Sequence, residues 1–340
     1  MKKERDINIE LLRIMAMFLV LAYHSNISIG QISVAELNKD FSGATIRLLT
    51  NVLCSICVNI FVIISGWYGL NYSNKKLGGL FFQVFFWCGL SAFIYILTGN
   101  DFTYKKIVSI FGLDGQLWFV LSYTILLAIS PILNYYASTA TKEEFRKTLI
   151  IFFALQTLFG WGMKIGYFAD GYSPLSFIGL YLLAKYIHKF PNKYTTLHPI
   201  NDITIYLITS IITTATIILI ATTLGEFVER LSMYISPLII ISALYFVLFF
   251  TKINITKGGK TIFYLSESAF AVYLFHDNIF LAGYFRQTVR YIYENYGSIS
   301  LIAALILLFL LIATIDKTRI FLWETITNKT NHQPLPDNKT

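Results

Sequence analysis

The sequence predicts an all-α, polytopic integral membrane protein with about ten transmembrane helices. Hydrophobic residues make up 56% of the 340 residues and charged residues only 14%, whereas a soluble protein carries about 25% charged residues. The mean hydropathy is +0.61. Apolar runs of about 17–25 residues, the length that crosses a bilayer as a helix, recur along the chain.

Ten apolar runs of about this length are separated by short polar segments. They cover residues 8–29, 45–68, 77–98, 117–137, 148–168, 174–190, 202–224, 233–251, 261–283 and 298–316. Nothing indicates a second domain or an internal repeat, so residues 1–316 are predicted to form one transmembrane domain. Residues 317–340 form a cytoplasmic polar tail, and the chain from Asp316 onward is expected to fray.

The first span resembles a secretory signal peptide, because basic residues precede an apolar run from Ile14 to Tyr23. The run is followed by His24-Ser25-Asn26 and not by the small residues of a cleavage site. We therefore predict that this span is not cleaved.

Basic residues favour alternate loops, and this bias predicts the orientation of the chain. The loops on the side of the N-terminus hold most of them, including Lys75, Lys76, Lys142, Arg146, Lys147, Lys185, Lys189, Lys193, Lys252, Lys257 and Lys260. Such an excess is typical of cytoplasmic loops, so both termini are predicted to be cytoplasmic. The net charge of +8 is then explained by topology, and no nucleic-acid partner is expected.

The first span carries a polar stripe. Arg13 and His24 are eleven residues apart, a rotation of about 1,100°, so they share one helix face and lie about 16 Å apart along the axis. Glu10, three residues before Arg13, joins that face. A charged side chain at mid-depth of a bilayer costs about 2.5–3.5 kcal/mol on insertion scales, so such a stripe indicates a functional site.

The ninth span repeats this plan. Glu267 enters at about the depth of Arg13, whereas His276 and Asp277 come at about the depth of His24. Lys164 lies near the outer end of the fifth span. The sequence therefore predicts two polar layers, an inner one with Glu10, Arg13 and Glu267, and an outer one with His24, His276, Asp277 and Lys164.

Each member of the stripe also has a structural explanation. Arg13 could extend to the interface or pair with Glu10, and His24 could be an interfacial histidine with satisfied hydrogen bonds. The shared face favours chemistry, because a histidine accepts and returns a proton near neutral pH.

The second layer has structural explanations as well. His276 could orient a helix through a backbone carbonyl. Asp277, about 100° further round a helix, is expected to serve another contact. Glu267 is expected to compensate the charge of Arg13.

Three further features have mainly structural explanations. Ser65-Gly66 ends the second span, where glycine permits close helix packing. Trp118 opens the fourth span and is more typical of an interface anchor than of a substrate stack. A C-x-x-C pattern occurs without the context of a redox motif, and no metal site is predicted. The cysteines are expected to be small packing residues (Cys54, Cys57 and Cys88).

Together these segments resemble the acyltransferase 3 family of integral-membrane acyltransferases. The resemblance runs from end to end: NIELLRI with Arg-x10-His (Arg13 and His24), FVIISGWYG after the second span, LWFV opening a middle span, and SESAFAVYLFH late in the chain. The Arg-x10-His spacing is the most specific of these marks. Glu10 stands where members of the family commonly have an aspartate.

The resemblance implies an O-acyltransferase of the bacterial inner membrane. The donor would be a cytoplasmic acyl-coenzyme A, with acetyl as the expected acyl group, and the acceptor a hydroxyl of a cell-surface or lipid-linked saccharide. No permanently bound cofactor is implied, and Arg13 and His24 carry over as the essential pair. Whether an acyl-histidine forms during transfer stays open at this level.

The resemblance and the polar layers together give a candidate site. The nucleotide would bind the basic inner loops, the pantetheine arm would pass Arg13, and the thioester would lie beside His24 as base. His276 or Lys164 could assist the oxyanion. The candidate residues are, for catalysis, His24, Arg13 and His276 and, for substrate binding, Glu10, Glu267, Lys164, Trp118 and Ser65.

Two other functions fit a polytopic chain with polar layers. A transporter or flippase could use the layers as a substrate or proton path, but no inverted repeat or pair of broken helices supports it. A sensor of the same fold without catalysis is disfavoured because both Arg13 and His24 are retained.

Overall fold

The computed structural model describes residues 6–112 and 115–330, and in that part of the chain it contains helices and loops but no β-strand. The α-helices are α1 (Ile7–Ile29), α2 (Val34–Lys39), α3 (Phe41–Cys54), α4 (Cys57–Tyr68), α5 (Asn74–Leu97), α6 (Ile107–Ile110), α7 (Trp118–Thr139), α8 (Lys142–Leu155), α9 (Pro174–Lys189), α10 (Pro199–Leu224), α11 (Pro237–Lys252), α12 (Gly259–Ser266), α13 (Ala269–His276) and α14 (Ala282–Thr330). A π-helical turn, Gln156–Gly162, follows α8.

Within the described ranges, seven helical segments are long and apolar enough to cross a membrane. They are α1, α3 with α4, α5, α7, α10, the segment Glu229–Lys252 that ends in α11, and α14. The other three predicted spans are helical but shorter or broken: α8 has 14 residues, α9 has 16, and α12 and α13 have 8 each. Sixteen residues rise only about 24 Å, less than the ~30 Å hydrocarbon core. The all-α membrane fold is confirmed, whereas the count of ten is not.

The long helices alternate in direction, so the bundle has two ends, which we call the Arg13 side and the His24 side. On the Arg13 side, the Asn8 side chain hydrogen-bonds the backbone just after α11, which joins the start of α1 to the end of α11. On the His24 side, Asn26 Nδ2 donates to the Arg47 carbonyl at 2.8 Å, which joins the last turn of α1 to the first half of α3. This alternation is the one that successive membrane spans require.

Close packing of α4 against α9 depends on one glycine. A Cβ at Gly66 would lie 2.4 Å from the carbonyl oxygen of Tyr181 on α9, a distance that no side chain tolerates. The packing role predicted for Ser65-Gly66 is therefore confirmed. It fixes α4, which forms part of the wall of the site described below.

The prediction of a frayed chain from Asp316 is wrong as far as residue 330, because α14 continues to Thr330. Asp316 is fully buried, and its carboxylate accepts from Trp87 Nε1 at 2.8 Å and from Arg319 Nε and Nη2 at 2.9 and 2.6 Å. Polar residues here pair with one another instead of facing water. Residues 331–340 lie outside the described part of the chain.

Candidate functional site

One face of α1 lines two adjacent cavities inside the bundle. Arg13 lines the first, which we call the Arg13 chamber, and Met17, Val20 and His24 line the second, the His24 chamber. The successive steps of four, three and four residues return to the same face of a helix. The predicted shared face is confirmed, and it includes Met17 and Val20 as well.

His24 and His276 are hydrogen-bonded, and their partners identify the protonated nitrogens. His24 Nδ1 lies 2.9 Å from His276 Nε2, and His276 Nδ1 lies 2.6 Å from the Val272 carbonyl oxygen. Because a carbonyl oxygen only accepts, the proton of a neutral His276 is on Nδ1, and its Nε2 accepts. His24 therefore donates through Nδ1, and its Nε2 carries the free lone pair that a base needs.

Asp277 lies on the same side of the His24 ring, with its Oδ1 3.8 Å from His24 Nδ1. The prediction that helix geometry directs Asp277 to another contact is wrong, because α13 ends at His276 and Asp277 has left the helix, with φ −110° and ψ 7°. A carboxylate in this place stabilises the imidazolium that forms when Nε2 of His24 takes a proton.

The His24 chamber is small, about 50 Å³, and aromatic. Three mutually packed rings, which we call the aromatic cap, line it on the His24 side: Trp118 and Tyr172 have centroids 4.5 Å apart, Tyr172 and Tyr234 5.0 Å, and Trp118 and Tyr234 6.1 Å. Burial raises the pKa of Tyr172, in the loop before α9, to about 12, so its hydroxyl stays protonated as a donor. Trp118, one of the predicted binding residues, is thus part of the chamber wall.

The Arg13 chamber is larger, about 310 Å³. Arg13 Nη1 donates to Glu10 Oε1 at 2.9 Å, and the arginine side chain is still 38% exposed. Ser65, a predicted binding residue, also lines this chamber, with its Oγ 3.1 Å from the hydroxyl of Tyr123. The chamber therefore combines a partly exposed guanidinium with the hydroxyls of Ser65, Tyr123 and Ser266.

Glu267 lies at the break between α12 and α13, at the predicted depth, because its neighbours Ser266 and Ala269 line the Arg13 chamber. Its Oε2 is 3.6 Å from the Nζ of Lys317. Glu267 thus pairs with Lys317, and its compensating role toward Arg13 stays a prediction.

The two chambers share one partition, which we call the phenylalanine wall. Phe61, Phe119 and Phe270 line both chambers. The centroids of Phe61 and Phe119 are 6.1 Å apart, and those of Phe119 and Phe270 are 5.9 Å apart. These three rings therefore lie where the two chambers adjoin.

A third cavity, the vestibule, lies beyond the aromatic cap and has a volume of about 400 Å³. It shares Tyr172 with the His24 chamber, and its other polar lining residues include Tyr23, Asn26, Gln31, Asn51, Ser232 and Glu229. Its hydrogen-bonding groups are mostly neutral amides and hydroxyls. Larger cavities thus lie on both sides of the His24 chamber, and each shares aromatic side chains with it.

Lys164 does not line the His24 chamber. It follows the π-helical turn with a left-handed backbone (φ 56°) and lines another cavity, of about 480 Å³, together with Asp170, Glu226, Glu229 and Arg230. The structure therefore brings His276 and Trp118 to His24 but does not bring Lys164 there.

Sequence reasoning missed several residues of the site. Met17 and Val20 were accessible to it, because they lie between Arg13 and His24 at helical spacing. Tyr172 and Tyr234 lie in the loops before α9 and α11. Helical periodicity does not apply to loop residues, so their proximity to His24 could not be inferred from the sequence.

A family model described as an acyltransferase domain, Acyl_transf_3, matches residues 6–317. No curated protein and no solved structure matches the chain.

Proposed function

Since the chain belongs to the acyltransferase 3 family and is a membrane acyltransferase, we propose that it moves an acyl group from cytoplasmic acyl-coenzyme A to a hydroxyl of a cell-surface or lipid-linked saccharide. Acetyl is the proposed acyl group, and the bacterial inner membrane is the proposed location. One observation carries the proposal: the free nitrogen of His24 lies in a small chamber between two larger cavities on opposite sides of the bundle.

The donor enters, in this proposal, from the Arg13 side. The basic loops on that side favour an anionic nucleotide and, by the positive-inside rule, face the cytoplasm. Arg13 keeps N–H donors that its bond to Glu10 does not use, and these suit a phosphate or carbonyl oxygen. The narrow pantetheine arm then crosses the phenylalanine wall and places the thioester beside His24.

The acceptor approaches from the opposite side, through the vestibule. A sugar presents hydroxyls that both donate and accept, and the amides of Asn26, Gln31 and Asn51 match that pattern. Tyr172 lines both the vestibule and the His24 chamber, so it lies where a bound hydroxyl would meet the thioester.

The transfer follows from the hydrogen bonds of His24. Nε2 of His24 accepts the proton of the attacking hydroxyl while the hydroxyl oxygen forms a bond to the thioester carbonyl carbon. His276 holds Nδ1 and Asp277 stabilises the imidazolium. The C–S bond then breaks, and the leaving thiolate takes the proton from Nε2. The hydroxyl of Tyr172 is a better donor to the oxyanion than Lys164, which lines a different cavity.

The test compares O-acyl groups on surface glycan from a deletion strain complemented with wild-type, His24→Ala or His198→Ala protein. His198 is exposed in the loop before α10, so its variant controls for loss of a histidine. We expect His24→Ala to be abundant and to restore no ester-linked acyl group by mass spectrometry and NMR, and His198→Ala to restore the wild-type amount. Normal acylation by His24→Ala would contradict the proposal.

The cavities on both sides of the His24 chamber also suit a transporter or flippase, which is the alternative function. In that case the deletion would change the amount or location of a saccharide and not its ester content. The same glycan preparation, analysed for saccharide yield as well as for esters, separates the two functions.

A further inference from the structure

We propose that Asn278 is a positioning residue for acyl transfer: its side-chain amide ends α13 at His276 and so holds Asp277 beside His24. The inference rests on the proposed function, in which Asp277 stabilises the imidazolium of His24. Asn278 follows Asp277 directly and is only 1% exposed, so its amide has no access to water and depends on protein partners.

The donor half of the amide closes α13. Asn278 Nδ2 donates to the carbonyl oxygens of Leu274 at 2.7 Å and Phe275 at 2.8 Å. If the helix continued, these two carbonyls would accept from the backbone N–H groups four residues further on. The same nitrogen lies 2.9 Å from the Oγ of Ser91, which is fully buried on α5 and ties the end of α13 to that helix.

The acceptor half of the amide starts the next segment. Asn278 Oδ1 accepts from the backbone N–H groups of Phe280 at 3.0 Å and Leu281 at 3.1 Å. These bonds, to the second and third residues onward, are those of a helix N-cap, and α14 begins directly afterwards at Ala282. Only an amide of this length supplies donors backward and an acceptor forward, since aspartate lacks the donors.

Asp277 is the residue that this junction places. Its N–H donates to the Tyr273 carbonyl at 3.1 Å, and its own carbonyl accepts from Gln116 Nε2 at 3.0 Å. In a helix that continues, each residue turns about 100° from the one before, which would carry Asp277 away from His24. Asn278 therefore acts on His24 through Asp277, without contacting the reacting groups.

Two variants of Asn278 and one control separate positioning from folding. Asn278→Ala removes both halves of the amide. Asn278→Ser is the second variant, should the first fail to fold, because its hydroxyl can still accept from the N–H groups that follow. Asn134→Ala on α7 is the matched control: Asn134 donates to the Leu70 carbonyl and accepts from the Tyr181 hydroxyl, both at 2.6 Å, and it lines neither chamber.

The assay measures kcat and KM of purified protein with acetyl-coenzyme A and the glycan fraction of a deletion strain. We expect Asn278→Ala to lower kcat about tenfold, part of the about 10²–10⁴-fold that a positioned base supplies, and to leave KM for acetyl-coenzyme A unchanged. Asp277→Asn should lower kcat to a similar degree. In the double variant the two losses should not multiply, because Asn278 acts through Asp277. Asn134→Ala should keep the wild-type kcat.

A loss in the double variant equal to the product of the two single losses would show a general structural effect and overturn the positioning role. A wild-type kcat in folded Asn278→Ala or Asn278→Ser, or in Asp277→Asn, would overturn it as well. Each of these outcomes leaves the proposed function standing. Absence of acetyl transfer by folded wild-type protein would instead overturn the proposed function, and the positioning role with it.

Discussion

Replacement of His276 by phenylalanine is expected to slow acyl transfer about 10- to 100-fold while leaving the protein folded. Phenylalanine keeps a ring against Phe285, whose centroid is 4.9 Å from that of His276, but it cannot accept from His24 Nδ1. A buried donor left without an acceptor costs about 1–3 kcal/mol. Because about 1.4 kcal/mol is a factor of ten in rate, this range corresponds to roughly 5- to 150-fold. Asp277 lies 3.8 Å from the same nitrogen, so we expect the loss of transfer rate to be smaller than the loss caused by removing His24.

The assay measures the transfer rate of purified protein in detergent, with size-exclusion chromatography as the check on folding. His276→Gln is the matched variant, because its side-chain carbonyl oxygen can accept in place of Nε2, and it should recover a large part of the rate. A transfer rate of His276→Phe within twofold of wild type would refute the reasoning. It would mean that His24 does not need His276 to keep the proton on Nδ1.

Three further predictions concern other parts of the protein. Arg13→Lys should weaken the binding of acetyl-coenzyme A, measured by calorimetry, about tenfold and leave the melting temperature unchanged, because lysine keeps the charge but loses the planar fork of donors. An unchanged affinity would exclude a donor-binding role for Arg13. In intact cells, an impermeant thiol reagent should label Glu294→Cys but not Lys142→Cys, and the opposite pattern would reverse the predicted orientation. Asp316→Ala should lower the melting temperature far more than Glu324→Gln, because Asp316 forms a buried ion pair, which costs about 3–5 kcal/mol to break, whereas Glu324 is exposed. Equal effects would show that the buried carboxylate contributes little to stability.

Features that depend on one helix could be predicted from the sequence. The common face of Arg13 and His24 follows from helix geometry alone, and the depth match between His24 and His276 follows once two spans run in the same direction. The contact between these two histidines also required that α1 and α13 be neighbours, which the sequence does not specify. The family motifs supplied the function but not this contact.

Features that depend on where a helix ends could not be predicted in the same way. Asp277 was assigned to another contact because the helix was assumed to continue, and one residue beyond its end the side chain turns toward His24. Lys164 was placed by depth alone, but the left-handed backbone after the π-helical turn puts it in a different cavity. Asp316 looked like the start of a polar tail because its partners, Trp87 and Arg319, complete a buried cluster only in the folded bundle.

The hydrogen-bond chain that begins at His24 stops at the Val272 carbonyl, and this has a consequence for an energised membrane. A carbonyl oxygen accepts a hydrogen bond but does not pass a proton onward, so His276 anchors His24 and is not a step of a proton wire. The pair of histidines therefore offers no onward path along α13 for a proton taken up by Nε2 of His24. His24 can thus exchange a proton with a bound substrate while the histidine pair itself forms no proton-conducting chain through α13.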